Sequence, residues 1–201
     1  MVYPSNLANV INYFRKFPGI GEKSAERLAL FVINMSSDDV NSFAASMIDS
    51  KLNLHPCSIC GHITDKEVCD VCSDEKRNKN LICVLEDYKS VFAFERAGNF
   101  NGVYHVLNGL ISPINDINPE DINISSLEQR IDKLDDPEII IALKSSMEGD
   151  TTTLYIQKKL EKKKVSISRL SYGIPMGADI DFLDEITLDR ALHDRKRISD
   201  N

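Results

Sequence analysis

LICVLEDYKSVFAFERAGNFNGVYHVLNG, residues 81–109, is the stretch that decides the fold class of this chain. Its first part, LICVLE (81–86), is a short apolar run that ends in an acid, and SVFAFERAG (90–98) follows with a helical pattern that closes on a glycine. GVYHVL (102–107) is a second short apolar run. Glycine commonly ends a helix, and short apolar strands that alternate with helices are typical of a parallel α/β sheet. The stretch therefore predicts a strand, a helix and a strand, in that order.

The same alternation continues towards the C-terminus, after a loop rich in Pro, Asn and Asp (112–124). The further predicted elements are a helix with Leu127, Ile131 and Leu134 on its apolar side, a strand EIIIAL (138–143), a helix TTTLYIQKKLEKKK (151–164), a strand VSISRL (165–170) and a charged helix from Asp179 to His193. We therefore expect an α/β domain over residues 80–175 and a C-terminal segment with a helix over residues 176–201.

An all-α module is predicted ahead of the sheet, over residues 1–54. Two helices are indicated by apolar residues at i, i+3, i+4 and i+7, which are Leu7, Val10, Ile11 and Phe14 in the first and Ala25, Leu28, Ala29 and Val32 in the second. Ser36 to Asp39 favour the start of a third helix. The apolar stripe of that helix consists of Val40, Phe43, Ala44, Met47 and Ile48.

FPGIGEKSAERLA, residues 17–29, connects the first two of these helices. A tight helical hairpin whose glycines only permit the turn is one interpretation. We favour a second one, because Gly19 and Gly21 let the backbone approach a ligand closely and precede a helix N-terminus, where free N–H groups and the dipole favour an anion. Lys23 and Arg27 share one helix face and would reach neighbouring phosphates. These residues predict a cradle for DNA phosphates that touches no base edge and is therefore independent of sequence.

Residues 55–79 hold four of the five cysteines and little apolar sequence. Because this segment has almost no core to bury, it needs a cross-link such as a bound metal in order to fold. The spacing is Cys57-x2-Cys60-x8-Cys69-x2-Cys72. Two such CxxC pairs present four thiolates tetrahedrally, the closed arrangement of a structural zinc site, and we expect one zinc ion per chain. His55 and His62 lie close by, but four cysteines complete the metal shell, so both histidines are predicted at the surface. The fifth cysteine, Cys83, is predicted to be a small core residue of a strand.

Four acids lie where strands of the predicted sheet end. Glu86 and Asp87 follow the first strand, and Glu148 and Asp150 follow the third. Ligands usually bind at the C-terminal ends of parallel strands, and grouped carboxylates there could hold Mg²⁺ through oxygen ligands. The alternative is that these acids cap the following helices and interact with their dipoles. The residues alone favour neither interpretation, and any Mg²⁺ or partner site that they form is expected to be weak.

The charge of the chain is unevenly distributed. The formal net charge is −7, which by itself disfavours a nucleic-acid partner, but residues 1–33 carry +2 and the rest of the chain −9. A basic N-terminal face on an acidic body is compatible with DNA binding when several copies combine their basic faces. No apolar run approaches the length of a membrane span, and the N-terminus does not resemble a signal peptide. We therefore expect a cytoplasmic protein without a membrane partner.

Taken in order, the helix-hairpin-helix, the four-cysteine module and the acid-bearing α/β domain resemble the RecR family of recombination mediators. ICVLEDYKSVFAFERAGNFNGVYHVLNGLISP (82–113) is similar to the first half of the toprim domain that RecR carries, and LKSSMEGDTTTLYI (143–156) is similar to its acidic second motif. RLSYGIPMGADIDFLDEITLDRAL (169–192) resembles the C-terminal segment of the family, which is often called Walker B-like. The resemblance covers nearly the whole chain. It implies a toprim-like parallel sheet flanked by helices, preceded by a helix-hairpin-helix and a C4 zinc finger and followed by a C-terminal helix.

The resemblance also implies a function. RecR-like proteins act in recombinational repair of gapped or damaged DNA, where they work with RecO and RecF and help RecA to replace single-strand binding protein. They are thought to assemble as dimers and tetrameric rings around DNA. An acidic protomer fits such a ring, because basic hairpins would line the hole while acids face outward. A protein of this kind would be found near the nucleoid.

The resemblance implies a protein that is not an enzyme. Catalytic toprim domains share a D-x-D-x-E-G pattern, and here Lys144 and Ser146 occupy the two Asp places, so that only Glu148 is kept. The C-terminal segment has Ala178 where the family more often has a second glycine before Asp179, and the sequence has no P-loop for ATP. The alternative hypothesis is a toprim-type, Mg²⁺-dependent nuclease or strand-transfer enzyme.

Overall fold

The computed structural model of the protein describes residues 3–171 and 174–197. The chain divides into two compact units, Met1–Leu54 and His55–Asn201. Tyr172, Gly173 and residues 198–201, which belong to the predicted C-terminal sequence, lie outside the described residues, as do residues 1–2. Of the helices in the described part of the chain, none is both long and apolar enough to cross a bilayer.

The first unit consists of three helices, α1 (Ser5–Phe14), α2 (Glu22–Ile33) and α3 (Ser37–Asn53). Helix α3 begins where the sequence predicts, because the side chain of Ser36 accepts a hydrogen bond from the backbone N–H of Asp39 at 3.1 Å. Two acids in its first turn, Asp38 and Asp39, complement the helix dipole.

The core of this unit is small and lies between α1 and α2. Ile11, Ala25 and Ala29 are buried, and partly buried residues of α1 and the hairpin pack around them. The predicted stripe of α1 therefore faces Ala25 and Ala29 of α2, whereas Leu28 of the predicted α2 stripe is exposed. The stripe of α3 differs from its prediction, because α3 has no buried residue and Phe43 and Ile48 are 47% and 60% exposed. A 17-residue amphipathic helix thus keeps most of its apolar side in solvent.

The second unit begins with the cysteine segment and continues as an α/β domain. The cysteine segment contains the short antiparallel pair β1 (His55–Pro56) and β2 (Ile63–Thr64) and the helix α4 (Asp70–Ser73). The elements that follow are β3 (Leu81–Leu85), α5 (Tyr88–Ala97), β4 (Val103–Val106), α6 (Ile124–Ile131), β5 (Glu138–Ala142), α7 (Met147–Leu160), β6 (Ser166–Arg169) and α8 (Glu185–His193). Single 3-10 turns cover Pro113–Asn115, Pro119–Asp121 and Ile180–Phe182.

The four strands of the α/β domain form one parallel sheet in the order β4-β3-β5-β6. In its centre Ile82 pairs with Val103 on one side and with Ile139 on the other. Because successive residues of a strand face opposite layers, Ile82 packs with α6 and α7, whereas Cys83 packs with α5. Cys83 is buried as predicted, and this burial raises the pKa of its thiol to about 12. The predicted parallel sheet with helices on both faces is confirmed.

Three predicted helices need corrected boundaries. Helix α6 ends at Ile131 and leaves out Leu134, and helix α7 ends at Leu160 rather than at residue 164. Helix α7 begins at Met147 rather than at residue 151, because the side chain of Ser146 caps it by accepting a hydrogen bond from Gly149 N–H at 3.2 Å. The predicted helix from Asp179 to His193 is a 3-10 turn followed by a separate helix, α8. The break lies at Asp184, whose side chain accepts from Thr187 N–H at 2.9 Å and so starts a new helix.

Candidate functional site

The hairpin between α1 and α2 is a tight turn followed by an extended residue. The backbone N–H of Ile20 donates to the carbonyl of Phe17 at 3.1 Å and closes the turn. Gly19 has a φ of +77°, in the left-handed region that favours glycine. Gly21 has a φ of −80° and a ψ of 174°, an extended conformation that any residue adopts, and it is the N-cap of α2.

The N-terminus of α2 faces open space. No side chain caps it, and a Cβ atom added to Gly21 would meet nothing within 4 Å. Neither the backbone conformation nor the packing of the unit requires glycine at position 21. Because Gly21 has no side chain, a ligand has room to approach the first N–H groups of α2. The N-terminus of a helix favours an anionic ligand.

Lys23 and Arg27 lie on the solvent side of α2, whereas Ala25 and Ala29 lie on its buried side. Within residues 3–171 and 174–197, neither cation takes part in an ion pair or a side-chain hydrogen bond. The nearby acid Glu26 is hydrogen-bonded to the hydroxyl of Tyr3, an interaction that raises the pKa of Tyr3. The two cations predicted to contact phosphates are thus exposed, and both are available to a ligand.

The cysteine segment brings four sulfur atoms together. The Sγ atoms of Cys57, Cys60, Cys69 and Cys72 all lie within 4.8 Å of one another. The first three side chains are buried and the fourth is partly buried. Backbone N–H groups point at two of the sulfurs, from Cys69 to Cys57 Sγ at 3.3 Å and from His62 to Cys60 Sγ at 3.4 Å. Such donors stabilise the thiolate form that a metal requires.

The thiols also interact with one another. Cys60 Sγ and Cys69 Sγ are 3.6 Å apart, and their hydrogen bond lowers the pKa of the Cys69 thiol while it raises that of Cys60. Four sulfurs in this arrangement fit a tetrahedral Zn²⁺ with no open position, which is a structural site.

The two histidines near the quartet have different surroundings. His55 is exposed, as predicted. The surface prediction for His62 is wrong, because its side chain is only 8% exposed and packs edge-on against Phe92 of α5, with ring centroids 5.0 Å apart. Burial lowers the pKa of His62, and the ring fills space between the cysteine loop and α5. A single-sequence pattern has no signal for this contact, because Phe92 is 30 residues away.

The cysteine loop is hydrogen-bonded to the edge of the sheet. Val106 N–H of β4 donates to the carbonyl of Cys60 at 2.7 Å, and the side chain of Asn123 donates to the carbonyl of Val106 at 3.0 Å. Gly61 has a φ of +74°, and a Cβ atom there would lie 2.9 Å from the Val106 carbonyl oxygen. Position 61 therefore requires glycine for its conformation and for this close approach.

A second connection joins residues just after the cysteines to the α/β domain. Arg77 donates two hydrogen bonds to the Glu95 carboxylate, at 2.9 and 2.6 Å, and the Tyr104 hydroxyl donates a third at 2.6 Å. Burial alone would raise the pKa of Glu95, but the bonds from Arg77 and Tyr104 outweigh it and lower this pKa. This network is not predictable from the sequence, because its members are separated along the chain and form no local motif.

The acids at the strand ends are engaged with cations and helix N-termini. Lys144 Nζ lies 3.3 Å from Glu86 Oε1. Asp87 caps α5 by accepting from the N–H groups of Lys89 and Ser90. Of the two interpretations left open by the sequence, helix capping is observed for Asp87.

The two acids of α7 are engaged as well. Glu148 accepts a hydrogen bond from Ser146 Oγ at 2.8 Å, which lowers its pKa. Asp150 lies 3.1 Å from Arg190 Nη2 and 3.7 Å from Arg169 Nη1. Within the described residues, the cysteine quartet is the only group of three or more potential ligands close enough to hold a metal ion. The four acids do not converge on a comparable position.

Comparison with known families adds four matches, which follow one another along the chain. Residues 7–50 match the RecR helix-hairpin-helix, and residues 54–74 match the four-cysteine zinc finger domain of RecR. Residues 80–171 match the Toprim domain, and residues 173–196 match the RecR C-terminal domain. The chain belongs to the RecR family. Its domains give it a DNA-binding role in recombinational repair, and its cysteine quartet is the site of a structural zinc ion.

Proposed function

We propose that this RecR-family protein is a recombination mediator that holds DNA by its backbone and, with RecO and RecF, helps to load RecA at gapped or damaged DNA. The observation that carries the proposal is the hairpin. An uncapped helix N-terminus, an open Gly21, and the exposed Lys23 and Arg27 together form a surface suited to phosphates. Gly19 supplies the turn that aims this surface outward. Contacts of this kind position DNA without reading its sequence.

A single hairpin with two such cations would bind DNA weakly at physiological salt, since affinity grows with the number of phosphates neutralised. We therefore propose that copies of the chain assemble as a dimer or tetrameric ring that clamps DNA. Exposed apolar side chains support self-association, because large ones in groups mark interaction surfaces. Ile48 and Leu52 of α3 are 60% and 76% exposed, and Phe182 and Ile186 are 87% and 69% exposed.

In this proposal the zinc ion stabilises the fold and takes no part in chemistry. The α/β domain binds partner proteins and does not cut DNA. The ion pair between Lys144 and Glu86 places a positive charge where a catalytic toprim domain would need a cation site. Glu148 and Asp150 are bound to other groups of the chain. These contacts favour a mediator over the alternative, a Mg²⁺-dependent nuclease or strand-transfer enzyme, and leave only a weak Mg²⁺ site.

The decisive experiment is a titration of labelled DNA at several salt concentrations with Lys23→Ala, Arg27→Ala and the double variant. Each single change should weaken binding equally for unrelated sequences and reduce the slope of log affinity against log salt by about one. Lys51→Ala, an exposed cation of α3, is the control with the same loss of charge. Normal binding by the double variant would show that the hairpin is purely structural. Solution mass with and without DNA tests the ring.

A further inference from the structure

The four sulfurs of the cysteine quartet differ in their exposure to solvent. Cys57, Cys60 and Cys69 are only 4%, 1% and 3% exposed, whereas Cys72 is partly exposed. Cys72 lies in α4, and all four residues of that short helix are at least partly exposed. A small reagent from solvent therefore reaches the quartet first at the Cys72 sulfur.

The fifth cysteine, Cys83, differs from the quartet in its reactivity. Its side chain is 1% exposed, and burial raises the pKa of its thiol to about 12, so the sulfur stays protonated at neutral pH. Thiolates rather than thiols react with oxidants. Zinc binding, by contrast, requires the four quartet cysteines as thiolates. Reactive sulfur is thus concentrated in the quartet, and Cys72 is its accessible member.

Hydrogen bonds connect the cysteine segment to the α/β domain at both of its CxxC pairs. Lys79, two residues before β3, donates from Nζ to the carbonyl of Cys72 at 2.8 Å and to that of Asp74 at 2.5 Å. At the first pair, the carbonyl of Cys60 accepts from Val106 N–H of β4. Both contacts depend on the folded cysteine segment, whose folding energy comes from the metal.

We propose that the zinc site is a redox switch, in which hydrogen peroxide oxidises Cys72 and Cys69 to a disulfide, zinc is released and the edge of β4 is uncovered. Cys69 is the partner because its sulfur lies within 4.8 Å of the Cys72 sulfur and because it is the nearest quartet member along the chain, so that the disulfide closes the shortest loop. The inference concerns the folding of the second unit and does not depend on how the hairpin binds DNA.

The oxidation proceeds in two steps. The Cys72 thiolate attacks one oxygen of hydrogen peroxide, the O–O bond breaks, and a sulfenic acid forms on Cys72 with release of hydroxide. The Cys69 thiolate then attacks the Cys72 sulfur, the S–S bond forms, and the S–O bond breaks with release of a second hydroxide. The two sulfurs lose two electrons, and the two hydroxides take up protons from solvent. Cys57 and Cys60 alone cannot complete a tetrahedral shell, so zinc is released.

The test treats the full-length, zinc-loaded protein with hydrogen peroxide and follows the released zinc with a colorimetric chelator. Peptide mapping should find Cys69–Cys72 as the first disulfide, and Cys83 should stay reduced. Hydrogen exchange of the β4 amides should become faster as zinc is released. A dithiol reductant together with zinc should restore both the metal content and the slow exchange.

Two matched variants locate the reactive sulfur. Histidine serves as a ligand beside cysteine in structural zinc sites, so Cys72→His keeps four ligands but removes the exposed sulfur, and it should release zinc about tenfold more slowly than the wild type. Cys57→His makes the same exchange at a buried position and should release zinc at the wild-type rate. Equal rates in the two variants overturn the proposal. Wild-type protein that keeps its zinc while a free thiol in the same solution is oxidised, or whose first disulfide is any other pair, overturns it without any variant.

Discussion

The backbone N–H of Val106 donates a hydrogen bond to the carbonyl oxygen of Cys60 at 2.7 Å. Val106 ends β4, which is an edge strand of the sheet. Edge strands expose unpaired backbone groups that can pair with other chains. Here those groups are covered, since Asn123 donates to the Val106 carbonyl at 3.0 Å and Arg130 donates to the Tyr104 carbonyl at 2.7 Å. The zinc module, through Cys60, thus covers one edge of the toprim domain together with Asn123 and Arg130 of the α6 region.

Loss of zinc should therefore affect the sheet as well as the cysteine segment. In Cys72→Ser we expect residues 55–79 to unfold, because zinc binding supplies their folding energy, and the backbone amides of β4 to exchange faster. Hydrogen exchange measures the second effect, and elemental analysis should find one zinc ion per wild-type chain. Cys83→Ala, which removes the cysteine outside the quartet, is the control and should retain the metal. A well-folded, metal-free wild-type protein with four reactive thiols would contradict this prediction.

Local patterns in the sequence were sufficient for the parts of the fold that depend on neighbouring residues. The short apolar run LICVL (81–85) predicted β3, and the spacing of two CxxC pairs predicted the quartet. In the hairpin, the helical spacing placed Lys23 and Arg27 on one face of α2. That face is exposed in the structure, and Ala25 lies on the opposite, buried face.

Contacts between distant residues were not predictable in this way. The bonds that join Arg77 to Glu95 cross 18 residues, and the ion pair of Asp150 with Arg190 crosses 40. Each partner alone is an ordinary charged residue with no periodic signal. The surface prediction for His62, made because four cysteines complete the metal shell, is wrong because the folded chain brings Phe92 against it.

Gly21→Ala should separate ligand binding from folding. The conformation at Gly21 suits alanine and its Cβ would meet nothing within 4 Å. We expect a free energy of unfolding within about 1 kcal/mol of wild type, because the entropic gain offsets the poorer N-cap. DNA affinity should nevertheless fall, since a methyl group would stand in front of the α2 N–H groups. Gly19→Ala is the comparison that should destabilise the unit, because φ there is +77°. Unchanged DNA affinity in Gly21→Ala would falsify the phosphate cradle.

His105 should make the α/β domain less stable in mild acid. Burial lowers the pKa of His105 to about 4, and its Nε2 lies 2.8 Å from the carbonyl of Asn123. Since the unfolded pKa is about 6.5, the unfolded chain binds the extra proton as pH falls from about 6.5 to 4, and stability is lost over that window. The loss attributable to this residue is at most about 3 kcal/mol. Urea unfolding at several pH values should show a shallower acid slope in His105→Gln, and parallel slopes would argue against the prediction.

Asp150→Asn should loosen α8. The carboxylate of Asp150 lies 3.1 Å from Arg190 of α8, while Ile186 and Leu192 of the same helix are 69% and 64% exposed. The ion pair is one of the contacts that hold α8, and partly exposed pairs are worth only about 0.2–1 kcal/mol each. We expect faster hydrogen exchange over α8 in the variant, and in the wild type as salt is raised. Asp189→Asn, which removes a more exposed acid of α8, is the control. Identical exchange in both variants would mean that Asp150 does not anchor the helix.

The α/β domain should neither cleave nor rejoin DNA strands. A hard divalent cation needs several oxygen ligands, and here the acids are individually engaged, with Lys144 3.3 Å from Glu86 and Ser146 Oγ 2.8 Å from Glu148. Strand transfer also needs an activated nucleophile, and no tyrosine of the sequence stands in a motif that identifies it as one. Incubation of supercoiled and single-stranded DNA with the protein and Mg²⁺ or Mn²⁺ should leave both substrates intact. Nicking or relaxation that disappeared in Glu148→Gln but persisted in Glu86→Gln would place a catalytic carboxylate at position 148, and the protein would then be an enzyme.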